Sequence, residues 1–322
     1  MLKFVPVLLA ALCCAFPAAA EDVLITQYNS AVSGAPFGIA IDQGFFKTHG
    51  VDITGVVSGQ GGGNSVRAII ASDLGFGEST VAAAISAIKE GQDLKIVYMG
   101  TPLIGGEYIV TMKNSPINSL KDLAGKKWGI SNPKSLGQMI GMMTAETAGL
   151  RPDAMQMVAL GNLSGVLTAL ENGVIDAQDL NVNTYAMRDG DTRYKVLGRV
   201  DTDLPPMAQA VGIATGDLIR KNPDKLRRLI AARRDAVKFI YANPDEAARI
   251  MDRLKVYTGI SPEQLTKFIR YETTVKYWSE GRFEMPSLTN VVRAMKYVGL
   301  LDRDIDLAPM IDRSFLPEDL QK

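Results

Sequence analysis

The chain has 322 residues, of which 35 are basic, 35 acidic and 47% hydrophobic, so its formal net charge is zero. This even balance excludes the clustered basic face that a nucleic-acid-binding protein needs. The length is sufficient for two domains of ordinary size. Beyond the N-terminal region, no apolar segment is long enough to span a membrane.

The first twenty residues have the pattern of a cleavable export signal. Lys3 precedes an apolar run at 4–16, and the alanines at 18–20 fit the small-residue rule for signal peptidase. The apolar run is shorter than the roughly 18 residues that a membrane-spanning helix requires. We therefore predict a signal peptide at 1–20, a mature protein that begins at Glu21, and a periplasmic location.

Cys13 and Cys14 are the only cysteines of the chain, and both lie within this signal. The mature protein is therefore predicted to have no disulfide, no thiolate metal ligand and no thiol nucleophile. Leu12 stands before Cys13, where a lipoprotein signal would have a small residue, so lipid attachment is not expected. Loss of Lys3 leaves a net charge of about −1.

Strand-like and helix-like segments then alternate along the chain. Strands are predicted at 23–28, 51–57, 74–77 and 94–99, and helices at 37–47, 64–71 and 81–89. The alternation restarts after Gly105 and Gly106, with strands predicted at 107–112, 128–131, 155–160, 175–180 and 194–200 and helices at 135–148 and 162–172. From 217 onward the pattern is helical, at 217–242, 244–254, 261–270, 287–298 and 306–313.

Two successive β-α-β series predict an α/β protein with two doubly wound lobes and a central cleft. We expect lobe 1 to comprise residues 21–104 and 206–322, and lobe 2 to comprise residues 105–205. The C-terminal helices are expected to pack mainly on lobe 1. The two crossing segments, near 101–108 and 202–208, are the predicted hinge.

Several motifs occur in a fixed order along the chain. They are PFGIAIDQGFFKTHGVDI at 36–53, GGGNSVRAIIASDLGFG at 61–77, SLKDLAGKKWGIS at 119–131, AGLRPDAMQMVALG at 148–161 and LTALENGVIDA at 167–177, followed by segments at 219–251 and 305–318. Together they resemble the periplasmic solute-binding proteins of ABC transporters that take sulfonates, taurine, nitrate and thiamine-pyrimidine precursors. The resemblance implies the type II periplasmic binding protein fold and a monomeric receptor. Its expected partners are a small-molecule ligand and the membrane permease subunits of an ABC importer.

The same family contains enzymes that make the thiamine pyrimidine with histidine- and cysteine-rich segments, and this sequence departs from their pattern. His49 is its only histidine, the mature chain has no cysteine, and no Gly-x-Ser-x-Gly motif occurs. The glycines at 61–63 are not followed by Gly-Lys-Ser/Thr, so they form no P-loop. We therefore predict no catalysis, no cofactor and no metal.

Ligands of open α/β sheets bind beyond the carboxyl ends of the strands, so the loops after the predicted strands supply the candidate ligand-binding residues. In the first lobe these are Asn29, Ser33, Phe37, Gly62, Gly63, Asn64, Glu78, Ser79, Thr80 and Thr101. In the second lobe they are Ser131, Ser135, Asn162, Asp179 and Asn181. The glycine loop is the best single candidate, because its backbone can approach a ligand and a helix starts near Asn64. An ordinary turn with Asn64 as a cap explains it equally well.

Two carboxylates among these candidates bear on the class of ligand. Glu78 and Asp179 would repel a sulfonate or nitrate, but would accept hydrogen bonds from an amine, an amidine or a ring N–H. The loops carry no arginine apart from Arg67, one turn into its helix. We predict a small polar organic ligand, heterocyclic or rich in nitrogen, with a sulfonate or carboxylate as the alternative. A second possibility for Glu78 is that it caps the following helix and never contacts ligand.

Overall fold

The computed structural model describes residues 21–29, 32–59, 61–133, 135–257 and 260–322. The predicted signal peptide lies outside these residues. The strands are β1 (Glu21–Thr26), β2 (Ile53–Gly59), β3 (Phe76–Thr80), β4 (Leu94–Thr101), β5 (Glu107–Met112), β6 (Lys127–Ile130), β7 (Gln156–Ala159), β8 (Gln178–Asn181), β9 (Tyr194–Arg199) and β10 (Ala210–Thr215).

Helices separate most of these strands and make up most of the C-terminal third. They are α1 (Ala35–Asp42), α2 (Phe45–Thr48), α3 (Gly62–Ala71), α4 (Val81–Lys89), α5 (Leu136–Thr147), α6 (Leu163–Glu171), α7 (Val182–Met187), α8 (Gly190–Arg193), α9 (Val200–Asp203), α10 (Gly216–Lys221), α11 (Pro223–Ala242), α12 (Pro244–Arg253), α13 (Pro262–Thr274) and α14 (Met285–Tyr297).

The first lobe is built on a five-stranded sheet in the order β2-β1-β3-β10-β4. Strands β1, β2 and β3 are parallel, whereas β10 runs antiparallel to both of its neighbours. Helices cover both faces, so strand residues are buried on each side: Val23, Leu24 and Ile25 are all buried in succession. After β4 the chain leaves this sheet for the second lobe, and it returns with β10, which inserts between β3 and β4.

The second lobe repeats the same plan on a smaller scale. Strand β5 pairs antiparallel with β8 and β9, and β6 pairs parallel with β7. A parallel bridge from Trp128 to Ala177 joins β6 to the segment before β8. The combined order is β7-β6-β8-β5-β9. Strand β5 lies between β8 and β9 and is antiparallel to both, as β10 lies between β3 and β4 in the first sheet.

The C-terminal helices pack largely on the first lobe. Helix α11 contacts α1 and α2, and α12 contacts α1. The buried residues of α11 recur at helical spacing, among them Leu226, Leu229, Ile230 and Val237. This spacing places one apolar face of α11 against the first lobe. Helix α14 contacts both α4 and α5, so it also reaches the second lobe.

The α/β fold class, with two doubly wound lobes, agrees with the sequence-based expectation, and nine strands lie at or within a few residues of their predicted positions. The expectation was wrong in several places. The helix predicted at 37–47 is divided into α1 and α2 at Gln43 and Gly44, where Gly44 has a φ of +70°. Strand β10 was not predicted, the helix predicted at 217–242 is broken at Asn222, and 306–313 contains only a short 3-10 turn at Ala308–Met310. Pro223 begins a new helix after Asn222, which explains the break. The exact domain limits near 104 and 206 stay a prediction.

Candidate functional site

A cavity of about 1390 Å³ lies between the two lobes and is lined by residues of both. Its walls come from the ends of β1, β2 and β3 on one side and of β6, β7 and β8 on the other. These are the carboxyl ends of the parallel strands, the edge at which ligands of such sheets bind. Small-molecule pockets measure about 300–1,000 Å³. The larger volume here is expected for a cleft that is open on one side.

Nine of the fifteen residues predicted from the sequence lie on the wall of this cavity. They are Asn29, Gly62, Gly63, Thr80, Ser131, Ser135, Asn162, Asp179 and Asn181. Seven of these nine come from a loop or helix start that follows a parallel strand, which is why reasoning from strand ends finds them. Asp179 and Asn181 lie within strand β8 itself, at its carboxyl end.

Five predicted residues lie off the wall for simple packing reasons. Ser33 and Phe37 are buried in the core, where the ring of Phe37 stacks on Phe46 at 6.5 Å. The buried hydroxyl of Ser79 donates to the carbonyl of Gly62 at 3.2 Å. The Thr101 hydroxyl accepts a hydrogen bond from the backbone N–H of Ala210 at 3.0 Å, and Asn64 is exposed and accepts from Arg67. Thr101 thus holds β4 to β10, which is a structural role.

Glu78 is the sixth predicted residue that does not line the cavity. It is fully buried and pairs with the equally buried Arg233. Its Oε2 accepts from Nε of Arg233 at 3.1 Å and from the hydroxyl of Tyr98 at 3.1 Å. Arg233 also donates to the carbonyls of Ser279, at 2.8 Å, and Gly100, at 3.0 Å. Burial raises the pKa of Glu78, although Arg233 and Tyr98 oppose this effect. The position neither faces the cleft nor caps helix α4, so both sequence-based interpretations of Glu78 differ from what the structure shows.

Helices α3, α5 and α6 begin at the cavity wall, as does α4 after Thr80. Asn162 caps α6, since its Oδ1 accepts from the N–H of Gly165 at 2.8 Å, and Ser135 caps α5 by accepting from Gln138 at 3.4 Å. Helix α3 begins after Gly61, whose φ of +83° favours glycine, and has no side-chain cap. A side chain at Gly62 would lie 2.2 Å from the Thr80 hydroxyl, so only glycine fits that contact.

Two carboxylates face the cavity from the second lobe, and sequence reasoning identified only one of them. In the register of β5 and β8, Glu107 lies opposite Asn181, and Asp179 lies two residues further along the same face. The amide of Asn181 donates to Oε1 of Glu107 at 3.1 Å. Burial, and then the nearby charge of Asp179, raise the pKa of Glu107 well above its usual range. Burial likewise raises the pKa of Asp179 to about 6.

Helix α5 and its glycine hold Asp179 in place. A Cβ atom at Gly137, in the first turn of α5, would lie only 2.8 Å from Oδ1 of Asp179. The carboxylate therefore packs against the N-terminal end of a 12-residue helix, where the helix dipole favours negative charge. This contact partly offsets the desolvation of Asp179 and fixes its direction.

The remaining wall is aromatic and amide-rich, and the sequence analysis missed it. Tyr257, Phe268 and Tyr277 line the cavity from the C-terminal region, together with Gln209. The hydroxyl of Tyr277 donates to Oε1 of Gln209 at 2.7 Å. These aromatic residues lie in or just after the helices α12 and α13, whose apolar residues are typical of core. No feature of the sequence therefore distinguished them from core residues.

The charged side chains on the described wall are Arg67, Glu90, Glu107 and Asp179. Over the described residues, no group of three histidine, cysteine, aspartate or glutamate side chains could hold a metal ion. His49 lies away from the cavity, with Nε2 2.7 Å from Oδ2 of Asp235. No helix in the described part of the chain is long and apolar enough to cross a membrane.

Comparison with known proteins identifies a family and a fold. The model of the family described as NMT1/THI5 like matches residues 32–247. A protein of Brucella abortus, named as a binding protein, is 24% identical in an alignment of 273 positions that covers 77% of this chain and 79% of that protein. The periplasmic aliphatic sulphonate binding protein of Escherichia coli has a similar structure, with a TM-score of 0.71 and 16% identity over 92% of each chain.

A second similar structure is that of an enzyme. The desulfurization enzyme DszB has a TM-score of 0.62 and 14% identity, over 92% of this chain and 97% of the enzyme. At such identities the likeness shows the fold, which is that of periplasmic binding proteins. The fold alone therefore does not separate a receptor from an enzyme.

Proposed function

Because the chain belongs to the NMT1/THI5-like family, we propose that it is the solute-binding receptor of an ABC importer. It captures a small polar organic molecule between its two lobes. The observation that carries this proposal is the cavity, which lies between two lobes of the same topology and is lined by strand ends from both. The Brucella abortus relative, named as a binding protein, supports the same role.

The proposal includes the absence of catalysis. The cavity wall, as far as the structure describes it, carries no histidine or cysteine that could act as a base or nucleophile. Its carboxylates could act as acids or bases and its serine and threonine hydroxyls as nucleophiles, but no histidine of the described wall accompanies those hydroxyls to activate them. The enzyme that shares this fold makes a turnover assay part of any test.

The location and partners follow from the same proposal. Export through the predicted signal peptide would place the mature protein in the periplasm, the location given for the Escherichia coli sulphonate binding protein. Its partners would be the ligand and the permease subunits of the importer. The receptor acts as a monomer, without cofactor, and does not bind nucleic acid.

A sulfonate or carboxylate ligand is the second candidate. The name of the Escherichia coli protein favours it, as does Arg67 on the wall, near the uncapped start of α3. An anion at that end would have a basic side chain and a helix N-terminus as partners. The two acidic side chains at the other end of the cavity argue against it.

Native mass spectrometry of the protein, purified without refolding, tests the receptor function. We expect a bound small molecule, and a smaller radius of gyration by small-angle scattering when that molecule is present, because ligand closes the lobes about the predicted hinge. Retention of no molecule, an unchanged scattering profile, or sustained turnover of the retained molecule would each contradict the proposal.

A matched pair of variants shows whether the cavity is the site. Gly63 lies on the wall, and a Cβ atom added there would lie 3.8 Å from its nearest neighbour, so Gly63→Trp can be built from this position and its ring takes up part of the cavity. Asn64→Trp places the same ring one residue further along, off the wall. Only the first variant is expected to lose the bound molecule, and equal loss in both would point to another site.

A further inference from the structure

The acidic end of the cavity has no cationic partner among the described residues. Neither Glu107 nor Asp179 forms an ion pair in the described part of the chain, whereas Glu171, Glu280 and Asp245 each pair with an arginine. Arg67 is the one basic side chain on the described wall, and it lies on α3 in the first lobe, where it donates to Asn64. A pair of desolvated carboxylates without a cation is energetically unfavourable unless something else completes it.

A third carboxyl group lies directly behind the same wall. Glu272 is fully buried, and neither of its carboxyl oxygens has a hydrogen-bond partner in the described structure. Its Oε2 would lie 2.7 Å from a Cβ atom at Gly105, and Gly105 itself lines the cavity beside Tyr277. This unpartnered buried group points at the wall. Burial raises the pKa of Glu272 to about 8, so near neutral pH the group is a buried carboxylic acid whose oxygens have no described hydrogen-bond partner.

The aromatic wall faces the same region. A Cβ atom at Gly105 would lie 2.6 Å from the Tyr277 ring and 2.7 Å from Oε2 of Glu272, so the ring and this carboxyl group lie side by side behind the wall. The Phe268 ring packs against Gly106, the residue before Glu107, at 2.9 Å from an added Cβ atom. Aromatic faces attract cations through their quadrupole, so these rings and the carboxylates favour the same sign of charge.

Resting on the proposed receptor function, we propose that the ligand is an organic cation of the ammonium, amidinium or guanidinium type. The carboxylates of Glu107 and Asp179 accept hydrogen bonds from its N–H groups. The two acceptors lie on one face of the β5–β8 pair and are held by Asn181 and by the start of α5. The cation supplies the positive charge that the described residues do not, and the carbon skeleton packs on Tyr277 and Phe268.

Three probes of nearly the same size test the charge of the ligand. Benzamidine is a planar amidinium, benzamide is its neutral counterpart, and benzenesulfonate carries the opposite charge on the same ring. Each is titrated by calorimetry into wild-type protein from which bound molecules have been removed. We expect benzamidine to bind at least tenfold more tightly than the other two. Equal or tighter binding of benzenesulfonate or benzamide, or no binding of benzamidine, would overturn the proposal.

Variants assign the selectivity to particular residues. Glu107→Gln and Asp179→Asn keep the shape of the side chain and remove one ionisable group each. Each is expected to weaken the affinity for benzamidine about tenfold to hundredfold, because a charge-assisted hydrogen bond is lost. Asp153→Asn removes an exposed charge from the same lobe and should leave the affinity unchanged. Benzamidine affinity that resists both cavity substitutions would refute the assignment.

The stability of the same variants separates a ligand role from a structural one. Without ligand, Glu107→Gln and Asp179→Asn should melt at the wild-type temperature or above, because burial disfavours the charged forms that they remove. A lower melting temperature would show that the pair holds the fold together. A protein that binds an anion and closes on it would contradict this inference but support the proposed function. A protein that retains no molecule would contradict both.

Discussion

Replacement of Arg233 by methionine should destabilise the protein in a way that depends on pH. The guanidinium lies 4.7 Å above the ring of Tyr98 and 5.9 Å from that of Phe37, so a methionine side chain can fill much of its space. The substitution leaves the carboxyl group of Glu78 buried without its cation. It also removes the donors to the carbonyls of Ser279 and Gly100.

The size of the loss follows from these contacts. At pH 7, Glu78 in the variant avoids a buried charge by staying protonated, which costs at most about 3.4 kcal/mol, at about 1.36 kcal/mol for each pH unit above its usual pKa of 4.5. Two lost hydrogen bonds add about 1 kcal/mol each. The total of about 5 kcal/mol is at the upper end of the range for a broken buried ion pair. At pH 5 the first contribution falls to about 0.7 kcal/mol.

The sign of the pH dependence follows from the protons bound. The folded variant holds a proton on Glu78 that the unfolded chain releases above about pH 4.5, so its stability falls as the pH rises from there. Urea denaturation at pH 5 and pH 7 measures the difference. A Glu78→Gln/Arg233→Met double variant, which has no charge at the site, should recover most of the loss at pH 7 and lose the added pH dependence.

Two results would refute this reasoning. One is a destabilisation by Arg233→Met that is the same at pH 5 and pH 7, and the other is a double variant no more stable than Arg233→Met alone. Ligand affinity gives an independent check. Glu78→Gln alone should leave the dissociation constant unchanged, because Glu78 lies behind the cavity wall and not on it.

Two further substitutions test features of the core. Burial raises the pKa of Glu272 to about 8, so the folded protein holds a proton that the unfolded chain loses, and wild-type stability should fall between about pH 5 and 8. Glu272→Gln should flatten that decline by an amount on the order of 4 kcal/mol, and parallel melting curves of the two proteins would contradict it. Gly212→Ala would place a methyl group 1.7 Å from the Tyr98 ring in the middle of the first sheet, so it should cost more than about 3 kcal/mol. Gly63→Ala, whose methyl group would lie 3.8 Å from its nearest neighbour, is the control and should change the melting temperature little.

Strand β10 shows where local patterns stop being informative. Its sequence, Ala-Val-Gly-Ile-Ala-Thr, has small residues and no clear alternation, because Gly212 must leave room for Tyr98 on the neighbouring strand. Strands such as β2 and β3 follow a helix end and a glycine or polar residue, so their positions could be predicted. Insertion of β10 between β3 and β4 is a long-range event, and only the pairing of distant segments determines it.

Glu78 and Asp179 illustrate the same limit at the level of the site. Both are acidic residues near the carboxyl end of a strand followed by a helix, and no local feature of the sequence separates them. The difference is the position of Arg233, 155 residues after Glu78, which reaches that carboxylate from the C-terminal helix α11. No described basic side chain reaches Asp179 or Glu107. Glu78, which Arg233 pairs, is part of the core, whereas Asp179, which no described basic side chain pairs, lies on the cavity wall, where we propose that it accepts a ligand of positive charge.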